Sequence, residues 1–176
     1  LGLGYPIHAW NAPRLVADWL PRLPVSEGQP TFLFVTAGSS VGGALDWARA
    51  RLSARGYQVI HEAPYYLGAY YLESDTRRQS PAQAARRAAW VRNEVEEAVT
   101  AIAERRERHI YATDAARLVL SGAAWRLYLR GCRQARRLFR ADARCTGCGA
   151  CVAACPTGNI TLLSDAPPTV RFGRAC

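Results

Sequence analysis

Short apolar runs alternate with helical patterns through the first half of the chain. Residues 31–36 form a continuous run of apolar and β-forming residues, as expected of a strand buried on both faces. A helical pattern follows over 44–54, and residues 57–60 predict the next strand. A strand that ends at Ile7 and a short helix over 13–20 precede them. This alternation predicts βαβ units and a parallel sheet.

Two longer helices are predicted beyond the last of these strands. The first begins with an N-cap serine, Ser80, and Gln83 completes a capping box. The second spans about 114–140. It is rich in arginine, since residues 117–144 contain eight arginines and one acid. No internal repeat or low-complexity tract interrupts the pattern.

The net charge of +9 adds little evidence about function. All 23 basic residues are arginine. The total absence of lysine points to a GC-rich coding bias, and no nucleic-acid recognition module is visible. We therefore expect no nucleic-acid partner. No apolar run is long enough for a transmembrane segment, and no secretory signal is visible. These observations favour a cytoplasmic protein.

Four cysteines near the end of the chain carry the most specific chemistry. They are followed by Pro156 in the spacing C-x2-C-x2-C-x3-C-P: Cys145, Cys148, Cys151 and Cys155. This spacing is the ligand run of a cubane 4Fe-4S cluster. Gly147 and Gly149 lack a Cβ, so the loop can adopt positive φ and approach the cluster closely.

Other uses of these cysteines are less consistent with the sequence. A zinc site usually has pairs of ligands separated by a longer spacer, and no second pair follows here. A disulfide framework requires an oxidising compartment, for which no signal is visible. Cys132, in the arginine-rich helix, is most simply a small buried apolar residue. The sequence therefore predicts a redox centre.

Two loops in the first half are candidates for a second cofactor. In an open α/β sheet, ligands bind beyond the carboxyl ends of the strands, where residues 6–11 and 36–43 lie. The candidate contacts are Trp10, Thr36, Ala37, Gly38, Ser39, Gly42 and Gly43. An aromatic ligand would stack on Trp10 or on one of four tyrosines, Tyr65, Tyr66, Tyr70 and Tyr71. Glycine-rich turns between a strand and a helix are also commonly just turns.

Residues 4–14 and 35–45, together with the cysteine run, resemble the bacterial flavodoxin–ferredoxin fusion proteins. The resemblance implies a flavodoxin-like, doubly wound parallel α/β sheet over 1–110. It implies an arginine-rich helical connector over 111–140 and a small α+β ferredoxin-type domain over 141–176. It also implies that Trp10 and the residues of the second loop contact FMN.

The sequence departs from the family in two features, both of which belong near the start of the sheet domain. The family's first strand and its phosphate-cradling loop do not appear, and the sequence contains no methionine. We therefore expect a fragment truncated at both ends, with its first strands missing. In two-cluster ferredoxins the fourth cysteine of each run binds the other cluster. Cys155 would then join a second cluster, of which Cys176 is the first ligand, and the intact protein would hold two clusters.

The function expected from these features is electron transfer through 4Fe-4S clusters, coupled to a flavodoxin-like domain that binds FMN. The expected partner is a redox protein or a flavin. One alternative is a flavin-dependent reductase of a small molecule, fed by the clusters. Another is a non-catalytic module that docks a redox partner. The sequence leaves open whether the protein is an enzyme with its own substrate.

Overall fold

The chain divides into two units, Leu1–Trp125 and Arg126–Cys176. The computed structural model describes residues 1–38, 40–67, 80–109, 114–163 and 169–173. The division between the units falls within one helix, which spans Ala115–Ala135.

Three parallel strands form the sheet of the first unit: β1 (Gly2–Pro6), β2 (Pro30–Ala37) and β3 (Gln58–Tyr66), in the order β1-β2-β3. In register, Leu3 of β1 lies beside Leu33 of β2, which lies beside Glu62 of β3. The predicted parallel sheet is confirmed. Strand β3 is longer than the predicted 57–60, because residues 61–66 continue the pairing with β2.

One face of the sheet packs against α1 (Arg14–Trp19), a 3-10 turn (Leu20–Arg22) and α2 (Ala44–Ser53). Side chains from both layers form the apolar core, including Leu3, Tyr5, Leu20, Leu33, Val35, Leu45, Leu52 and Val59. The Tyr5 hydroxyl donates to the Ala44 carbonyl over 2.8 Å and so fixes the start of α2 on β1.

A buried ion pair also joins α2 to the sheet. The Arg49 Nε donates to Glu62 Oε1 over 2.7 Å, and its Nη2 donates to Asp46 Oδ1 over 2.9 Å. The Glu62 side chain is 0% exposed, whereas that of Arg49 is 28% exposed. The guanidinium therefore bridges a carboxylate inside the unit to one near its surface.

Helix α3 (Pro81–Ala103) contacts β3 of the sheet. The predicted capping box is confirmed at its start, where Ser80 Oγ accepts from the Gln83 N–H and Gln83 Oε1 accepts from the Ser80 N–H. Only Ala98 and Ala101 of α3 are fully buried. Most of this long helix is therefore at least partly exposed, and a cavity lies between it and the sheet.

Helix α4 (Ala115–Ala135) follows an N-cap at Asp114, whose Oδ1 accepts from the Arg117 N–H. It ends earlier than the predicted 140, and a 3-10 turn (Arg136–Leu138) follows. No helix in the ranges given above is both long enough and apolar enough to cross a membrane.

The second unit also contains α5 (Ala150–Ala154) and a hairpin of β4 (Ile160–Leu163) and β5 (Thr169–Phe172). The two strands are antiparallel, and Ile160 lies beside Phe172. The Phe172 ring packs on the Phe139 ring with centroids 5.6 Å apart, and Val170 is buried. A short helix beside a small antiparallel hairpin is the α+β arrangement predicted for this region.

Candidate functional site

The cysteine loop is shaped by two glycines in the left-handed region. Gly147 has φ 69° and Gly149 has φ 74°, a region in which L side chains are strained. Gly149 is the N-cap of α5, and its carbonyl accepts from the Val152 and Ala153 N–H groups. A Cβ at Gly149 would meet no atom within 4 Å. The predicted backbone conformation is confirmed, and the loop is open on this side.

The four thiols of this loop are free and differ in exposure. Cys148 and Cys151 are exposed, whereas Cys145 and Cys155 are partly buried. Cys132, expected to be buried, is partly exposed. Cys176 lies outside the described residues.

Two of these thiols have a lowered pKa. The pKa of Cys155 falls to about 7, first because of the Thr157 hydroxyl and then because of backbone N–H groups. The Thr157 Oγ1 lies 3.3 Å from the Cys155 Sγ, and the Asn159 N–H donates to the same sulfur over 3.2 Å. The pKa of Cys148 is lowered by the Ala150 backbone N–H and the Thr146 hydroxyl. Both environments favour the thiolate, which is the form that binds metal.

The donor chemistry of the loop fits an iron–sulfur cluster. Thiolates are the ligands of cubane clusters, and four free thiols follow one another at the required spacing. Across the residues whose positions are described, no three Cys, His, Asp or Glu side chains form a group able to hold a metal ion. The thiols therefore share one loop but do not converge on a common point.

Comparison with known proteins supports this assignment. Residues 142–161 match the family described as a 4Fe-4S binding domain. No curated protein and no solved structure matches the chain. The match includes the four cysteines from Cys145 to Cys155 and supports an iron–sulfur protein with a ferredoxin-type domain that transfers electrons.

The two loops predicted to hold a flavin lie against each other at the carboxyl ends of β1 and β2. The Ile7 N–H donates to the Thr36 carbonyl over 2.9 Å, directly beyond the paired ends of the strands. Gly42 has φ 53°, and a Cβ there would collide with the Cβ of Trp10 and lie 2.8 Å from its carbonyl oxygen. The structure therefore brings Trp10 and Gly42 together.

Backbone strain accompanies this contact. Ala9 has φ 48° and Trp10 has φ 62°, although neither is glycine. Such conformations cost about 1–3 kcal/mol each and cluster at functional sites. The Trp10 side chain is 50% exposed, so its ring is available to a ligand. No sequence signal marked Ala9, because alanine has no special preference for positive φ.

The other predicted flavin-loop residues lie close by. Thr36 and Ala37 end β2, Gly38 follows them, and Gly43 is the N-cap of α2. Ser39 lies outside the described residues. Tyr65, one of the candidate stacking rings, is buried in the sheet and packs on Phe34 with centroids 6.3 Å apart. Tyr70 and Tyr71 also lie outside the described residues.

Helix α4 supports these loops through residues that the sequence analysis did not single out. The Trp125 Nε1 donates to the Ala12 carbonyl over 2.9 Å, and its ring packs on Trp47 with centroids 5.9 Å apart. A Cβ on Gly43 would lie 2.7 Å from the Ser121 hydroxyl. These contacts span more than 70 residues of sequence, so no local pattern could reveal them.

Proposed function

We propose that this protein transfers electrons through 4Fe-4S clusters and that its sheet unit couples the clusters to FMN. The proposed cluster ligands are Cys145, Cys148, Cys151, Cys155 and Cys176. The observation that carries the proposal is the loop of four free thiols, shaped by two left-handed glycines and lying within the matched 4Fe-4S domain.

The ligands are proposed to serve two clusters. Cys145, Cys148 and Cys151 would bind one, and Cys155 would join Cys176 at the other. The different surroundings of Cys155 support this division, because Thr157 and Asn159, which lie between α5 and β4, contact its sulfur. Pro156 directly follows this cysteine, as in the ligand runs of two-cluster ferredoxins.

A bound cubane cluster supplies one-electron oxidation and reduction. The protein holds the cluster through its thiolates and sets the reduction potential through burial and hydrogen bonds to sulfur. The Asn159 N–H donates to the Cys155 Sγ and so lowers the electron density on that ligand. This one-electron chemistry requires no side chain that transforms a substrate. An electron carrier therefore accounts for the features of the cysteine loop described above.

Binding of FMN by the sheet unit is supported by three features. The loops that carry Trp10 and Gly42 touch at the carboxyl ends of neighbouring strands. The Trp10 ring is half-exposed. The order β1-β2-β3 equals that of three consecutive strands in the flavodoxin order 2-1-3-4-5, namely strands 3, 4 and 5.

The cluster assignment is tested by anaerobic reconstitution, with iron and sulfide, of the protein expressed from its full gene. Wild type should gain broad absorption in the visible blue and an EPR signal on reduction. Cys148→Ala should lose most of this signal, and Cys132→Ala, a matched control outside the loop, should keep it. Equal signals in the two variants would contradict the proposal.

The flavin assignment has a separate readout, namely the yellow flavin released when the same protein is denatured. Trp10→Ala should release less flavin than wild type. Trp19→Ala is the matched control, because Trp19 is 43% exposed and ends α1, outside the residues of both loops. A colourless wild-type protein would instead favour a sheet unit that only docks a redox partner.

A further inference from the structure

A cavity of about 250 Å³ lies between the sheet and helix α3. One wall is formed by side chains of β2 and β3, and the other by apolar side chains of α3. Its lining includes Phe32, Phe34, Tyr65, Val91, Val95 and Ala98. Three aromatic rings and several aliphatic groups therefore surround a space that is almost wholly apolar.

His61 also belongs to this lining. It lies on β3 beside Phe32 of β2, and its side chain is 1% exposed. Both ring nitrogens are buried and have no hydrogen-bond partner among the described residues. Burying a polar group without a partner is costly, and such groups are rare in native proteins. His61 therefore calls for a partner that the described residues do not provide.

The state of His61 defines what that partner must offer. Burial, and then the charge of Arg108, lower the pKa of His61, so its imidazole is neutral at pH 7. A neutral imidazole has one N–H donor and one acceptor nitrogen. His61 lines the cavity, and rotation about χ2 is soft for histidine, so the ring can turn to present a nitrogen to a ligand there. A ligand with one polar atom would complete this arrangement.

The cavity also limits the size of the ligand. An apolar cavity of about 150 Å³ holds benzene. The present cavity is larger by the space of a few further heavy atoms, so it can enclose two fused rings but not a three-ring flavin with its phosphate. Of the predicted flavin-loop residues, Thr36 also lines this cavity. The cavity extends along the face of the sheet, whereas the flavin loops lie beyond the strand ends.

We propose that this cavity is a binding site for a small, uncharged aromatic molecule of one or two rings with one polar atom that hydrogen-bonds to His61. The aromatic rings of Phe32, Phe34 and Tyr65 provide contacts for the ring faces and edges of the ligand. His61 sets its orientation. The proposal does not depend on the clusters or on FMN.

The test compares indole with indene, two probes of nearly equal shape of which only indole has an N–H. Calorimetric titration at pH 7.5 should show both binding to wild type, with indole about threefold to tenfold tighter, as one hydrogen bond predicts. His61→Phe should keep both probes bound and remove the preference. A preference that survives in His61→Phe, or wild type that binds neither probe, would overturn the proposal.

A second variant locates the binding and does not alter His61. Val95 lines the cavity from α3 and is 40% exposed, so Val95→Trp adds a ring that fills the cavity from a tolerant helix position. It should abolish binding of both probes. Ala85→Trp adds the same side chain at an exposed position of α3 outside the cavity lining and should leave binding unchanged. Binding that persists in Val95→Trp would place the probes elsewhere and refute the assignment.

Discussion

Arg49→Met is expected to destabilise the sheet unit more than any exposed arginine substitution of the same kind. The guanidinium of Arg49 lies 2.7 Å from the Oε1 of Glu62, whose side chain is 0% exposed, and 2.9 Å from Asp46. Methionine keeps much of the aliphatic length and removes the charge. The variant therefore withdraws the cation from a fully buried carboxylate.

The magnitude follows from the burial of each partner. Removing one member of a buried ion pair costs about 3–5 kcal/mol, because the remaining charge loses its compensation. The Arg49 side chain is 28% exposed, so water reaches part of the vacated space and the lower end of that range applies. We expect a loss of about 3 kcal/mol, which is a large part of the roughly 5–15 kcal/mol that stabilises a typical domain.

Urea denaturation followed by tryptophan fluorescence measures this loss of stability in the sheet unit, Leu1–Trp125. All five tryptophans lie within it: Trp10, Trp19, Trp47, Trp90 and Trp125. Arg14→Met is the matched control, because Arg14 pairs at 3.3 Å with Asp18, which is 58% exposed. An exposed pair of this kind contributes about 0–1 kcal/mol. Equal losses in Arg14→Met and Arg49→Met would refute the reasoning.

The double variant Arg49→Met/Glu62→Leu separates the pair from the loss of side-chain packing. Replacing a buried ion pair by apolar residues of similar size is often neutral or stabilising. We therefore expect the double variant to be more stable than Arg49→Met. A double variant that is less stable by the sum of both single losses would show that the two side chains act independently.

Three further predictions concern the loops, the thiols and helix α3. Gly42→Ala should cost about 2 kcal/mol in urea denaturation and reduce flavin retention. The backbone at this position has positive φ, which strains an L side chain, and the new Cβ would collide with Trp10. Unchanged flavin content would contradict this prediction. In the cluster-free protein, Thr157→Val should raise the pKa of Cys155 from about 7 toward the ordinary thiol value. Alkylation of Cys155 by iodoacetamide at pH 7 should then slow in Thr157→Val and stay fast in Thr157→Ser. The two alkylation rates should become equal above the ordinary thiol pKa, and equal rates at pH 7 would refute this prediction. Ser80→Ala should cost about 1 kcal/mol by removing the capping box, measured as a lower urea midpoint, and Ser80→Asp should restore it.

Local sequence signals predicted the elements that depend on local interactions. Ser80 and Gln83 marked the start of α3, because a capping box is formed by residues three apart. The cysteine loop was also predictable, since its ligands and the glycines that shape it lie within a few residues. The parallel sheet followed from the alternation of strands and helices, because parallel neighbours require such crossovers.

Tertiary packing decided the features that the pattern did not reveal. Strand β3 was expected to end at Ile60, and the polar residues His61 and Glu62 follow it in the sequence. The strand continues by pairing with β2, and Arg49, which lies 13 residues before Glu62, compensates that buried carboxylate from α2.

The contact between Gly42 and Trp10 likewise depends on how two separate βα connections pack. The sequence by itself therefore determined the elements and the cysteine chemistry, which rest on neighbouring residues. The buried ion pair, the contact between the loops and the cavity at His61 were decided by the tertiary structure, because each joins residues that only the packed sheet brings together.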